Sequence, residues 1–396
     1  MNPVKFFWIL VITLLNSITG EGQSPRLGEQ FSQSIIRRYQ PNIDVMTHKG
    51  WDHSNSIILH GMQKIYEHTN NLAYLNYIRS FADAFINPDG TIKGMAPALD
   101  RIHPGMICLF LFEKTGEMKY KAAATYLRDY LIGSEKSPSA FKKTPEGGYW
   151  HKNELNYQDV MTVDGIYMAY PFLVKYGKLF NDSVAINVAV SQTLLIASHS
   201  FNITNNLPYH AWDYSKSKPW ANPVTGTSSI PWSRSVGWFS MALVDILENL
   251  SPSHKDFGTV LYLFKQLALG IREFQHSTDG LWYQVVNCVK CPGNYPEISG
   301  SGMIVYAIRK GVNNKWVDPA FNIVAEKGWQ GIKNNIRRFS DGMPQVVSVA
   351  PGMGCKKSYE EYVAVRPVSC PSEDEVQHPH GYCAVLMASS MMEYSN

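Results

Sequence analysis

Asp164 is the only charge in the run from Val160 to Leu173, which reads Val-Met-Thr-Val-Asp-Gly-Ile-Tyr-Met-Ala-Tyr-Pro-Phe-Leu. An ionised carboxylate in such a setting is costly unless it is paired or hydrogen-bonded. Desolvation favours the protonated form, which is the form a general acid needs near neutral pH. The alternative is an Asp that caps the start of a helix. A second candidate acid, Asp100, lies in a Pro/Gly-bounded loop ahead of the apolar run from Met106 to Phe112. Two carboxylates facing one cavity repel, and the repulsion raises the affinity of one of them for a proton. The alternative for Asp100 is a pair with the adjacent Arg101, or a helix cap.

Around these acids stand groups suited to a sugar. His151 and Lys152 follow a Gly147-Gly148 turn. Downstream, His210, Trp212, Trp220, Trp232, Arg234 and Trp238 crowd into one short stretch near loop-to-helix junctions. Arg offers a planar fork matched to a carboxylate. Trp offers a flat apolar face, and a neutral His offers hydrogen bonding. Singly each is ordinary, since a Trp is more often core than ligand; together they suggest a binding cleft. Aromatic content of 12%, with 10 Trp and 22 Tyr, suits such a cleft and equally suits a large core.

Other chemistries are poorly represented. The chain has no G-x-S-x-G, phosphate loop, H-E-x-x-H or dinucleotide-binding glycine fingerprint. A net charge of +3, with 17% charged residues, gives no footprint for nucleic acid. Cys288 and Cys291 form a C-x-x-C without a second ligand pair at zinc spacing, so a local disulfide is expected there. Cys355 and Cys370 flank a loop and are candidates to pair, while Cys108 and Cys383 sit in apolar runs that read as core. No metal or other cofactor is called for.

The elements that must position these groups read as helical hairpins. Tyr66 to Tyr74 resembles Phe112 to Tyr120; each is the end of one helix, a tight turn and the start of the next. Further helices are expected within Met241 to Leu250, Val260 to Phe274, Met303 to Arg309 and Pro319 to Lys333. Gln345 to Ala350 is a candidate strand inside a long loop from Phe339 to Pro379. In a chain of 396 residues without an evident linker, six hairpins account for the length and predict an all-α, closed (α/α)6 barrel spanning residues 23–396. Residues 1–22 carry a signal-peptide layout: Lys5, an apolar stretch from Phe6 to Leu15, then small residues. Export is therefore expected, and Asn181, Asn202 and Asn249 stand in N-x-Ser/Thr sequons.

At this point the residues resemble glycoside hydrolase family 105, the unsaturated glucuronyl and rhamnogalacturonyl hydrolases, with family 88 as a more distant neighbour. The matching runs include Leu99 to Gly105, Gly148 to Lys152, Val163 to Leu173, His210 to Asp213, Trp232 to Trp238, Gly280 to Val285, Glu297 to Met303 and His380-Gly381, nearly the whole chain from Trp51 to Glu393. The resemblance implies the (α/α)6 barrel. It implies Asp164 as catalytic acid and base, Asp100 as the second active-site carboxylate, and His151, His210, Trp232, Arg234 and Trp238 as sugar-contacting positions; Lys152, beside His151, is taken with them as a substrate-binding candidate. It implies hydration of a 4,5-unsaturated uronate at the end of a lyase-generated oligosaccharide, with rhamnogalacturonan as the best-known source. The chain departs from the pattern at Arg234-Ser-Val-Gly237, where Arg-Gly-Asn-Gly is usual, and in a slightly longer spacer between His151 and Asp164. Two other readings compete: a sugar-binding protein on the same barrel that has lost catalysis, and an ordinary inverting glycosidase using the same two acids.

Overall fold

A computed structural model describes residues 25–371 and 378–394; the leader-like residues 1–22 lie outside the described residues. The chain runs through α1 (Leu27–Arg38), the single turn α2 (Asp44–Thr47), α3 (His53–Thr69), α4 (Leu72–Phe85), α5 (Gly105–Thr115) and α6 (Met118–Ile132). It continues through β1 (Val160–Thr162), α7 (Asp164–Phe180), α8 (Ser183–Ser200), β2 (Phe201–Asn202), β3 (Leu207–Pro208) and β4 (Ala211–Asp213). Then come α9 (Ser233–Asn249), α10 (Phe257–Glu273), α11 (Ile298–Asn313), α12 (Asn322–Asn334), β5 (Ile336–Arg338) and β6 (Pro344–Val349). The last elements are α13 (Tyr359–Ala364), β7 (Val368–Cys370) and α14 (His380–Met392).

Six inner helices form a ring in which α3, α5, α7, α9, α11 and α14 each touch the next, and α14 closes onto α3. The outer layer is α4, α6, α8, α10, α12 and α1, each against its inner partner. The predicted six-hairpin toroid is thus observed. Its sixth pair joins the first helix to the last, a closure that no local repeat announces. Inner helices are walled on all sides: every residue of α9 from Ser233 to Leu247 is buried. Outer helices keep one apolar stripe, as in α10, where Val260, Phe264, Leu267, Ala268 and Ile271 face inward at helical spacing. The repeated turn has a common physical basis. Inner helices α3, α5 and α7 end on a left-handed residue, Asn70 (φ 50°), Gly116 (φ 71°) and Asn181 (φ 57°). Asn and Gly tolerate that conformation and stop the helix there.

Short strands link the hairpins at one end of the ring. β1 pairs with β4 in register Thr162↔Ala211, and β5, β6 and β7 form a three-stranded antiparallel sheet. The expected strand at Gln345 to Ala350 appears as β6. The surrounding segment, expected to be a long loop, also contains β7 and α13. Cys288 and Cys291 are disulfide-bonded. The suggested Cys355–Cys370 pair is not formed. The two thiols face different places: the Cys370 side chain packs against Gly381 at the start of α14, whereas Cys355 lines the central cavity. Cys108 and Cys383 are buried, as expected. Among the described residues no helix is long and apolar enough to cross a membrane.

Candidate active site

The strand-and-loop end of the ring encloses a cavity of about 510 Å³. Asp164, Asp100, His151, Lys152, His210, Trp232, Arg234 and Trp238 all line it. They arrive from five separate parts of the chain, and backbone pairing explains how three of the junctions form. Val163 N–H donates to the His210 carbonyl at 3.0 Å, just beyond the β1–β4 ladder, which sets His210 beside Asp164. Leu99 N–H donates to the His151 carbonyl at 2.9 Å, and His151 N–H to the Val160 carbonyl at 3.1 Å. One continuous backbone path therefore ties the Asp100 loop to His151, β1 and Asp164. Gly165 is needed at this junction, since a Cβ there would stand 2.8 Å from Leu99 Cδ1 and 3.0 Å from His151 Nδ1.

Asp164 is the first residue of α7, yet its carboxylate does not cap that helix. Thr162 Oγ1 accepts the Gly165 N–H at 3.2 Å, leaving the Asp164 side chain to turn into the cavity. There Ser235 Oγ donates to Oδ1 at 2.5 Å, and His210 Nε2 stands 3.8 Å from Oδ2. The side chain is 21% exposed, so it opens onto the cavity and is not sealed in the apolar run that surrounds it in sequence. Burial holds His210 below the usual histidine range, against the pull of Asp164, which favours the neutral ring. Its Nδ1 lies 2.7 Å from the Tyr362 hydroxyl, which accepts from the Lys356 N–H. Tyr362 is thus free to give its proton to Nδ1, which leaves Nε2–H facing Asp164.

Asp100 is neither a cap nor a partner of Arg101. It is surrounded by Lys152 Nζ at 3.0 Å, His151 Nε2 at 3.3 Å and His53 Nδ1 at 3.6 Å. Burial alone would raise its carboxyl, but His53, His151 and Lys152 outweigh it and hold the group well below the usual carboxylate range. The rise expected for one member of a repelling pair does not occur at Asp100, because three bases face it. Arg101 turns away to the carbonyls of Lys49 and Trp51 and to Asp52. Asp52, His53 and Asp100 are also close enough to offer three ligand atoms to an ion. Both carboxylates already face cations there, Arg101 on Asp52 and Lys152 on Asp100. Catalytic rate is expected to survive exhaustive chelation; loss of rate restored by a divalent ion would reassign this trio as a metal site.

Arg234 is only 1% exposed. Its Nε donates to Ser299 Oγ at 2.8 Å, and its terminal nitrogens donate to the carbonyls of Pro351 and Ala350. Glu297, fully buried at the start of α11, accepts from the N–H groups of Ser299, Gly300 and Ala350 and faces Arg234 at 3.8 Å. The Arg–Glu pair therefore holds the backbone at residues 350–351, next to the cavity wall formed by Gly352, Met353, Gly354 and Cys355. Close approach is required here too: a Cβ on Gly300 would lie 2.5 Å from the Ser233 carbonyl oxygen. Arg234→Lys keeps the charge but loses the fork. We expect kcat/KM to fall at least about tenfold, roughly 1.4 kcal/mol, the scale of one charged hydrogen bond. Amide exchange in residues 350–355 should speed up as well; wild-type kinetics and exchange in that variant would remove the role.

The tryptophans differ in use. Trp232 and Trp238 are each 1% exposed and wall the cavity. Trp232 Nε1 donates to Gln284, and Trp238 stacks on Tyr167. Trp220, half-buried at the cavity edge, is the tryptophan of the cluster with a more open face. Sequence reasoning gave no role to His53, Ser235, Glu297 or Tyr362. His53 and Ser235 lack local signals. Glu297 had one: an acid three residues ahead of Gly300 at a helix start, where it serves as the N-cap.

A helical toroid with two carboxylates and a neutral histidine converging in one cavity defines a candidate hydrolase of carbohydrates. The comparisons narrow that class. The model of Glycosyl Hydrolase Family 88 matches residues 28–395, so the chain belongs to that family. A solved family 105 glycoside hydrolase from Clostridium acetobutylicum ATCC 824 is similar, with 31% identity, a TM-score of 0.83 and coverage of 93% of this chain and 99% of that one. The unsaturated rhamnogalacturonyl hydrolase YesR of Bacillus subtilis is 24% identical over 262 residues, 65% of this chain and 70% of the relative. A protein of Agrobacterium fabrum is 35% identical over 141 residues, a match covering 36% of this chain and 59% of that relative's length.

Proposed function

We propose that this protein removes a 4,5-unsaturated uronic acid from the non-reducing end of lyase-generated oligosaccharides, with rhamnogalacturonan fragments as the first substrate class to test. The observation that carries the reading is the Asp164 carboxyl. It opens onto the cavity, is held on one oxygen by Ser235, and has its other oxygen toward a neutral histidine. Such a group can give a proton and later take one back.

The substrate's terminal sugar is a vinyl ether. Protonated Asp164 delivers its proton to C4, and positive charge develops at C5 and the ring oxygen. Asp100, kept anionic by His53, His151 and Lys152, stabilises that charge through the cavity. Water then attacks C5, giving its proton to the Asp164 carboxylate. The resulting hemiketal opens and expels the next sugar. Each step uses side chains present here and returns Asp164 to its protonated form.

The membership in family 88 and the named activity of the Bacillus subtilis relative support this reading. A panel of lyase products from rhamnogalacturonan, other uronate-bearing polysaccharides and glycosaminoglycans tests it. Loss of the double bond's ultraviolet absorbance is expected for at least one, with no action on saturated counterparts. Indifference to every unsaturated member, with sugar binding retained, would favour a binding protein that has lost catalysis.

We also propose export. The leader-like sequence at residues 1–22 and the Cys288–Cys291 disulfide support it. In a glycosylating host Asn181 is the sequon expected to be occupied. It is exposed at the end of α7, whereas the side-chain amides of Asn202 and Asn249 donate to Tyr209 and to the Asp245 carbonyl. Peptide mapping of secreted protein would show the modification at Asn181, and its confinement to Asn202 or Asn249 would contradict the assignment.

A further inference from the structure

We propose that Ser235 is a positioning residue: its hydroxyl holds Oδ1 of Asp164 so that Oδ2 carries the transferable proton, and it thereby sets the pH above which the acid is lost. This inference rests on the reading of Asp164 as proton donor.

Ser235 is fully buried in the first turn of α9, and α9 packs directly against α7. Its Oγ lies 2.5 Å from Oδ1. The contact joins two adjacent inner helices whose starts both meet the cavity, so neither partner is a surface rotor free to drift. A carboxylic acid has one oxygen that bears the proton and one that only accepts. Oδ1 is hydrogen-bonded by Ser235 at 2.5 Å, whereas Oδ2 stands 3.8 Å from His210 Nε2, beyond hydrogen-bond reach, so the protonated state places its hydrogen on Oδ2. After transfer, the anion keeps the Ser235 bond on Oδ1 while Oδ2 is free to take a proton from water. A single buried hydroxyl therefore assigns different tasks to the two oxygens.

The same bond acts on the charge. A hydroxyl donated to a carboxylate favours the anion more than the neutral acid. Removing it favours the protonated form, so the limb on which activity falls with rising pH should move to higher pH. Other groups also act on Asp164. Arg234 approaches from α9, His210 from the start of β4, Tyr157 from the loop before β1, and Cys355 and Tyr362 from the segment after β6. Asp100, His151, Lys152, His53 and His380 line the same cavity. All of these are retained when Ser235 alone is changed, so a difference between the two proteins reports the one hydroxyl.

The test compares wild type, Ser235→Ala and Ser235→Cys, the last keeping the shape with a weaker donor. Carbon-13 titration of the Asp164 carboxyl, assigned through its disappearance in Asp164→Asn, needs no substrate. Its midpoint should rise by about one pH unit in Ser235→Ala, the scale of one hydrogen bond to a charged group, and by less in Ser235→Cys. The pH profile of kcat/KM on an unsaturated oligosaccharide should shift its descending limb by the same amount. A midpoint that stays at the wild-type value in folded Ser235→Ala overturns the proposal, even if turnover falls, because a structural defect alone lowers rate without moving a titration. If the midpoint shifts while no unsaturated oligosaccharide is consumed, the role of Ser235 stands and the proposed reaction is what fails.

Discussion

Asp164→Asn is expected to fold as the parent protein does and to consume unsaturated substrate roughly two to four orders of magnitude more slowly, the range for loss of a general acid–base group. The substitution is nearly isosteric. The amide oxygen can still accept from Ser235, and no hydrogen bond to His210, 3.8 Å away, is lost, so the geometry at the start of α7 is preserved. What is lost is a proton that can leave and return. Thr162, not Asp164, satisfies the helix start, so the helix has no reason to fray. Circular dichroism and sugar binding should match wild type while turnover collapses. Near wild-type turnover in the folded variant would mean that the proton comes from another group.

Asp100→Asn is expected to damage both rate and stability. The wild-type carboxylate is enclosed by Lys152, His151 and His53, and the amide would leave Lys152 and His151 without their counter-charge, while His53 would keep only Asp52. Breaking a buried pair from one side costs about 3 kcal/mol, and here the lower part of the usual range applies because Lys152 can turn toward solvent. Turnover should fall at least about tenfold through lost stabilisation of the positively charged transition state. The pH dependence has a definite sign. The folded state holds Asp100 well below its unfolded value, so its contribution is complete above about pH 3.9 and disappears as pH falls through the depressed folded value. His53 acts in the other direction. Burial opposes its charge, but Asp100 and Asp52 raise it, so its contribution is complete below about pH 6.5 and is lost as pH climbs through the raised folded value. The melting-temperature gap between wild type and Asp100→Asn should therefore be widest between these limits and narrow in strong acid. A gap that does not change with pH would show that Asp100 matters through packing and not through charge.

Much of this site is legible in the sequence because its parts carry strong local signals. A lone Asp in an apolar run, a Gly-Gly turn before His151 and a tryptophan-rich stretch around Arg234 are all visible without a fold. The hairpin repeat is legible because its turns recur, with Asn or Gly at a left-handed position between the end of one helix and the start of the next. What was not legible depends on contacts between distant parts of the chain. The closure of α1 on α14, the Ser235 bond to Asp164 and the approach of His53 to Asp100 all join segments with no pattern linking them. Arg234 shows the limit of reading a residue by type. Its fork was expected to face sugar, and three of its donors instead hold Ser299 and the backbone at residues 350–351. Trp232 and Trp238 likewise line the cavity as buried wall.

The most direct measurement is a time course on a lyase-generated oligosaccharide that follows two quantities together: the ultraviolet absorbance of the terminal double bond and the release of the adjoining sugar. Hydration of the vinyl ether destroys the double bond before the sugar leaves, so absorbance should fall mole for mole with release. Sugar appearing while absorbance persists would mean that the glycosidic bond is cut by ordinary hydrolysis, and the role assigned to Asp164 would be wrong.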